Sequence, residues 1–275
     1  MPVFSLLTFN TYGVPAPGTS ARIRTLSHTL NAEGHSVVCL QEIQAHIYRR
    51  LIETTTNFPH HAYEPFIHCP KGGLLTLSRL PVEGHEFELF DKRGLWYTPA
   101  LADWILHKGM LVTRLTVHDL PVVIINTHLT ANYMGNWGRG SLYAEQEYHQ
   151  LMQLAGLVQA QPPEALVIVA GDFNVPRGSW LYETFLAESR LHDPLRDNLE
   201  PTIRPRPGIP ARYFMPIDYV LFRSPPLPGC RVESRFRFQE KVTLSNGRRD
   251  HLSDHIGIEL CVTWDDSFRD ARPGI

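Results

Sequence analysis

The stretch Leu166-Val167-Ile168-Val169-Ala170-Gly171-Asp172-Phe173-Asn174 sets an apolar, β-branched run against an abrupt polar stop. A run of this kind, bounded by turn residues, reads as a strand with an acid and an amide at its end. Outward from it the arrangement recurs: Asn10 follows Phe9, Glu42 follows Leu40-Gln41 and His128 follows Asn126-Thr127, whereas Asp254-His255 reverses the order and opens a strand. Behind these residues lie apolar runs at Val3–Phe9, Val37–Leu40, Val122–Asn126 and Ile256–Val262. Further runs at Leu74–Leu77, Met110–Val117, Ile217–Phe222 and Val232–Phe238 bring the strands to enough for two sheets. Helical spacing predicts one helix from Ser20, as N-cap, through Ile23, Leu26 and Leu30 to Gly34. A second runs through Tyr148, Leu151, Met152, Ala155 and Val158, and a short third follows Ser179. Strands outnumber helices and hairpin-like spacing dominates from Leu74 to Asn126, so two packed sheets with helices outside fit better than a doubly wound parallel sheet.

The 275 residues carry 26 Lys+Arg against 28 Asp+Glu, a formal net charge of -2, with 43% hydrophobic and 20% charged residues. This is a globular composition, not a disordered one. The near-neutral balance makes nucleic acid a less expected partner, although local charge can serve. No apolar run approaches the roughly 20 residues that span a bilayer. The segment from Met1 to Phe9 lacks the basic region and cleavage site of a signal peptide, so a cytoplasmic location is expected. Cys39, Cys69, Cys230 and Cys261 are too dispersed for a disulfide framework and form no Cys-x-x-Cys zinc pair. Cys39 and Cys261 lie in apolar runs and are expected to be buried thiols. No repeat or linker divides the chain: residues 1–264 are expected to form one domain, 265–275 a polar tail, and Pro201 to Pro210 a loop.

A single acid or amide at a strand end is usually a turn-former. Several together are another matter, because strand ends converge at the rim of a sheet and can share one pocket. The inventory suits phosphate-ester hydrolysis. Glu42, with Asp172 or Asp254, offers hard oxygen ligands for Mg²⁺, which neutralises a phosphoryl oxygen and the charge developing on a leaving group. Two histidines suit general acid–base work, and Asp218 can orient one imidazole and stabilise its cation. Asn10 and Asn174 supply uncharged donors to phosphate oxygens. The sequence contains no Gly-x-Gly-x-x-Gly or Walker loop, no Gly-x-Ser-x-Gly elbow and no His-Glu-x-x-His, which argues against nucleotide motors, serine hydrolases and zincins.

In chain order, Thr8-Phe9-Asn10, Leu40-Gln41-Glu42, Asn126-Thr127-His128-Leu129, Gly171-Asp172-Phe173-Asn174, Ile217-Asp218-Tyr219 and Ser253-Asp254-His255 resemble the motifs of the endonuclease/exonuclease/phosphatase superfamily. The resemblance implies a four-layer α/β/β/α sandwich of two mixed sheets and a Mg²⁺-dependent site at one rim, with Mn²⁺ as a substitute. It implies Glu42 as the principal metal ligand, with Asn10 and Asp254 beside it, and Asp172 and Asn174 as the pair that positions water and phosphate. His255 is implied as the general base, oriented by Asp218; the family leaves open whether the histidine or Asp172 takes the proton. His128 matches a histidine found in some branches, where it faces the phosphate and assists the leaving group.

Among the branches, the neutral sphingomyelinases are the most similar. Asn10-Thr11-Tyr12-Gly13-Val14-Pro15 resembles their first motif and His128-Leu129-Thr130-Ala131 their His-Leu-x-Ala segment. Asp103-Trp104-Ile105-Leu106-His107-Lys108-Gly109 resembles a signature in which the lysine is drawn into the site as a phosphate-binding cation and the aspartate controls its position. On spacing alone the two would be an exposed pair beside a hairpin, worth little. Leu95-Trp96-Tyr97, Leu101 and Trp104-Ile105-Leu106 before Lys108, and Tyr133, Met134 and Trp137 after His128, can form an apolar rim that meets a bilayer, or an aromatic surface for choline. Core packing is the competing reading. Tyr133 and Trp137 come first as substrate contacts, because Gly135, Gly138 and Gly140 make their segment a loop. The stretch from Gln239 to Asp250 has no aromatic tip, unlike the hairpin of secreted bacterial relatives. Arg204, Arg206, Arg212, Arg248 and Arg249 can touch phosphates, with a solvated loop as the simpler reading. The expected activity is a Mg²⁺-dependent phosphodiesterase of phospholipase C type, releasing phosphocholine from sphingomyelin or a related choline phospholipid at a peripheral membrane contact. The alternatives are a nuclease or other phosphodiesterase or phosphatase on the same fold, and a binding module without turnover.

Overall fold

A computed structural model of the chain describes residues 3–94 and 96–265. The elements run β1 (Val3–Gly13), α1 (Thr19–Glu33), β2 (Val37–Ile43), α2 (His46–Thr55), β3 (His60–Ala62) and β4 (Leu75–Ser78). Then come β5 (Gly84–Leu89), α3 (Leu101–Ile105), β6 (Gly109–Val117), β7 (Leu120–His128), α4 (Leu142–Gln159), β8 (Leu166–Asp172) and α5 (Trp180–Ser189). The chain closes with β9 (Asp218–Arg223), β10 (Arg231–Arg237), β11 (Val242–Thr243), β12 (Arg249–Asp250) and β13 (Gly257–Thr263). One sheet has the order β10-β13-β1-β2-β4-β3, the other β5-β6-β7-β8-β9, and β11 with β12 makes a small hairpin.

The two sheets face each other and the long helices cover their outer faces, giving the expected four layers. Alternation along each strand sorts the side chains. Phe4, Leu6 and Cys39 of the first sheet meet Ile124, Ile168 and Ala170 of the second. On the opposite faces, Leu7, Phe9, Val38 and Leu40 pack under Ile23, Leu26 and Leu30 of α1 and Ile52 of α2, while Ile125, Val167 and Val169 pack under Leu151, Leu154 and Val158 of α4. Both faces of the central strands are therefore buried, which is why they read as continuous apolar runs. Each such Leu, Ile, Val or Phe side chain stabilises the fold by about 1.5–3 kcal/mol.

Each sheet is built around one parallel pair, β1 with β2 and β7 with β8, bridged by an outer helix, α1 or α4. Antiparallel β13 and β9 flank these pairs. The carboxyl ends of the parallel strands and the amino ends of their antiparallel neighbours thus lie along one rim.

Two expectations need correction. Helix α1 begins at Thr19 with Gly18, in the left-handed region at φ 90°, as its N-cap; Ser20 lies inside the first turn, and the Thr19 hydroxyl turns back to donate to the Val14 carbonyl. Cys39 is buried, but Cys261 is half-buried, because it lies opposite Ser5 and Glu233 on the face away from the inter-sheet core. The polar tail lies outside the described residues apart from Asp265.

Candidate active site

Local backbone geometry prepares the rim. Gly171 has φ 151°, and a Cβ there would lie 1.9 Å from the Thr127 carbonyl oxygen; glycine is what lets β8 close against β7 at this point. In register, His128 stands opposite Asp172, and Asp218 stands on the other side of Asp172. In the first sheet the pairing of β1 with β2 shifts between Asn10 and Gly13, with Tyr12 and Glu42 both left-handed, at φ 48° and 57°. A left-handed non-glycine residue costs on the order of 1–3 kcal/mol, and here it accompanies the break in alternation that brings Glu42 to the rim. Gly13 makes room, since a Cβ would come 2.1 Å from the Glu42 carbonyl oxygen. Beneath the rim a buried amide pair ties the sheets together: Gln41 Nε2 donates to Asn126 Oδ1 at 2.8 Å, and Asn126 Nδ2 donates to the Leu40 carbonyl at 3.2 Å.

At the rim itself, Asn10 Nδ2 donates to Glu42 Oε1 at 3.1 Å and to Asp172 Oδ2 at 2.9 Å, while its Oδ1 accepts the Tyr12 N–H. The amide therefore holds the two carboxylates with its N–H groups turned towards them. Asp172 Oδ1 accepts the Asn174 N–H, and Asn174 Nδ2 donates to the Leu129 carbonyl. His255 Nδ1 lies 2.9 Å from Asp218 Oδ2, with its Nε2 3.8 Å from Asp172 Oδ2. His128 Nε2 approaches the same Asp172 oxygen at 3.4 Å.

Asp103 and Lys108 are not an exposed pair. They are 3% and 2% exposed and joined at 2.8 Å, and Lys108 Nζ also donates to the Leu129 carbonyl at 2.7 Å while Asp103 Oδ2 accepts the Ala131 N–H. Both face a cavity of ≈ 250 Å³ that Glu42, His128, Asp172, Asn174 and His255 also line. Asp254 lines it too, but its Oδ2 is paired with Arg206 at 2.7 Å. A larger groove of ≈ 440 Å³ adjoins through Tyr133, Asn174 and Arg206, and carries Trp137, Tyr213, Ile203 and Ile209. Trp137 is partly buried against the core, and its indole N–H donates to the Asn174 carbonyl. Trp96, Tyr97, Trp104 and Ile105 are exposed; Leu95 lies outside the described residues.

The electrostatics follow from burying several acids together. Burial and the Asp218 charge push the Asp172 carboxyl up to about 7, against the restraining pull of His255, Lys108 and Asn10. Glu42 is raised by burial and by Asp254. Burial pulls the His255 imidazole down, but Asp218 and Asp172 together hold it well above its ordinary value. His128 is lowered well below the ordinary value by burial, Lys108 and His255. Ligand atoms of Glu42, His128 and Asp172 lie within 4.8 Å of one another, as do those of Asp172, Asp218 and His255. Carboxylates with this raised appetite for protons have the uncompensated charge that a divalent cation satisfies, so the donor set fits a hard metal ion.

Sequence reasoning passed over Gln41, Asn126 and the Arg206–Asp254 pair. The first two stood inside the quoted motifs as polar residues in apolar runs, which is the signal that could have found them; nothing local marks the third.

Comparison with known proteins gives a consistent placement. A protein of Drosophila melanogaster described as "Putative neutral sphingomyelinase" is 29% identical over 195 residues, covering 69% of this chain and 43% of that protein. The chain thus spans less than half the length of that relative. In overall fold it is similar to the crystal structure of sphingomyelinase C from Streptomyces griseocarneus, with a TM-score of 0.72, 22% identity, and 95% and 99% of the two chains covered. It is similar also to D. rerio TDP2 complexed with a single-strand DNA product, with a TM-score of 0.69, 16% identity and the same two coverages. The profile of the Endonuclease/Exonuclease/phosphatase family matches residues 7–255, from β1 to the histidine beside Asp218. With two sheets, a shared acidic rim and a match over nearly its whole length, the chain belongs to the endonuclease/exonuclease/phosphatase family.

Proposed function

We propose that the rim is the active site of a metal-dependent phosphodiesterase of phospholipase C type, acting on sphingomyelin or a related choline phospholipid. The observation that carries this reading is the convergence of the Asp218–His255 pair, the Asn10-bridged carboxylates Glu42 and Asp172, and buried Lys108 on one cavity.

Glu42, with Asp172 in reach, would hold the cation. Mg²⁺ suits these oxygens, with Mn²⁺ as substitute, and when bound it supplies charge neutralisation for the phosphoryl oxygens. His255 Nε2 takes the proton of the attacking water, and Asp218 holds the ring and stabilises the imidazolium. Asp172 and Asn174 position water and phosphate. The water oxygen bonds to phosphorus as the bond to the ceramide oxygen breaks; Lys108 faces the added charge, His128 offers a hydrogen bond to the departing oxygen, and that oxygen takes its proton from solvent water.

The lipid assignment is supported by the Drosophila relative and by the aromatic groove of Tyr133, Trp137 and Tyr213, whose faces suit a quaternary ammonium. No helix among the described residues is long and apolar enough to cross a membrane. In this reading a bilayer is met at its surface, through Trp96, Tyr97, Trp104 and Ile105.

The test is phosphocholine release from detergent-dispersed sphingomyelin with Mg²⁺, against EDTA and Asp172→Asn, with DNA as a parallel substrate. Release only from active protein with Mg²⁺ is expected, and Glu42→Gln is expected to abolish both turnover and Mg²⁺ dependence. DNA cut in place of the lipid would keep the metal site and discard the substrate; Mg²⁺-stimulated turnover surviving in Glu42→Gln would discard Glu42 as ligand.

A further inference from the structure

Beside the catalytic cavity lies a recess of ≈ 380 Å³, and the two share Tyr12, Arg206 and Asp254 at their border. The cavity is acidic; the recess is not. Arg22, Arg204, Arg206 and Lys241 line it against only Asp250 and Asp254.

Arg22 and Arg204 are held in place chiefly by backbone carbonyls. Arg22 donates to the carbonyls of Thr11, Tyr12 and Leu252, and Arg204 to those of Phe238, Gln239 and Ser253. Carbonyls satisfy N–H groups and fix a guanidinium in position, but they carry no countercharge. Asp254 pairs with Arg206 at 2.7 Å and its charge also reaches Arg22 and Arg204, with Asp250 and Glu42 near Arg22 and Glu240 near Arg204; within the lining itself two acids stand against four cations. Lys241 is exposed at the edge of the recess, and buried Nδ1 of His251, another lining residue, has no hydrogen-bond partner. A fixed excess of positive charge in a concave wall concentrates anions.

We propose that this recess binds a second anionic group, a phosphate or carboxylate, beside the diester under attack. The group comes either from the same substrate molecule or from an anionic headgroup neighbouring it in a lipid surface. The shared border, with Arg206 reaching from the recess to Asp254, places the second anion next to the reacting one. This inference stands apart from the choline-lipid reading, since a cationic recess can serve any diester that arrives with or among anions.

Calorimetric titration with inorganic phosphate in EDTA tests it without turnover. Saturable binding is expected, weakened by Lys241→Glu by about tenfold, the scale of one charge contact near a surface, and unchanged by Glu42→Gln. No binding, or binding lost in Glu42→Gln but kept in Lys241→Glu, would overturn the proposal. Two kinetic arms, using whichever diester the wild type hydrolyses, then separate the sources. Stimulation by phosphatidic acid in mixed micelles, absent in Lys241→Glu although its activity in neutral micelles is intact, identifies a neighbouring headgroup. A lower KM for a soluble diester that also bears a phosphomonoester, again lost in Lys241→Glu, identifies the substrate itself. Response in neither arm overturns the proposal: the recess then takes an adventitious ion only, or, where a short oligonucleotide displaces phosphate, a nucleic-acid backbone.

Discussion

Asp218 opens β9 of one sheet and His255 lies just ahead of β13 of the other, and the two meet at 2.9 Å, so the state of one imidazole reports on both halves of the molecule. A base must be deprotonated to work. Because Asp218 and Asp172 outweigh burial and raise the His255 imidazole, kcat/KM is expected to climb with pH along an acid limb set by that group. In Asp218→Asn the raising charge is gone, so the limb is expected to move to lower pH while the maximal rate falls by about 10²–10⁴, the usual worth of a positioned base. A pH–rate profile of both proteins measures it; a limb that stays in place would separate His255 from the proton transfer. These two residues were legible in the sequence because each stands at a strand end beside an apolar run. Gln41 and Asn126 stand in comparable places, yet their partners lie across the gap between the sheets, and no local pattern encodes that gap.

Among the elements, β7 and β8 set the spacing of the site, and Gly171 sets their approach. Gly171→Ala places a methyl group within 1.9 Å of the Thr127 carbonyl oxygen, so the strands must part where His128 faces Asp172. A loss of stability on the order of 3 kcal/mol is expected, seen as a lower denaturation midpoint at unchanged slope, with turnover falling further than stability accounts for. The central strands could be read from sequence because burial on both faces makes them continuously apolar. Short β3 and the edge strand β5, with its run Gly84-His85-Glu86-Phe87-Glu88-Leu89, lack that signature, since one side of an edge strand is open. Helix α2, only ten residues long, keeps a helical spacing at Ile47, Tyr48, Leu51 and Ile52 that sequence reasoning passed over. At α1 the competition was between two capping chemistries, and the left-handed turn at Gly18 won over the hydroxyl of Ser20.

Across the whole molecule, the acidic rim is a local cost to the fold. A carboxyl raised to about 7, as at Asp172, adds stability in its protonated form; that contribution is complete below the unfolded value near ~4 and is lost as the pH rises through about 7. Raised Glu42 and raised His255 act in the same direction. In EDTA at pH 8, Glu42→Gln is therefore expected to melt higher than the wild type, by ~2–4 °C for each kcal/mol relieved. Mg²⁺ is expected to raise the Tm of the wild type by mass action and to leave the variant nearly unmoved; differential scanning fluorimetry reads both. The chain's route through the sheets carries a further consequence. Strand β1 lies between β2 and β13, and Val3 pairs with Thr263, so the strand bearing Asn10 gains its second neighbour only from residues far along the chain. Contacts of such sequence separation form late. During translation the ribosome will have made Asn10, Glu42, His128 and Asp172 long before Asp254 and His255, and through that interval the nascent chain holds an acidic half-site without the proposed base. On the proposed function, a complete site would be assembled only once the residues ahead of β13 have been added.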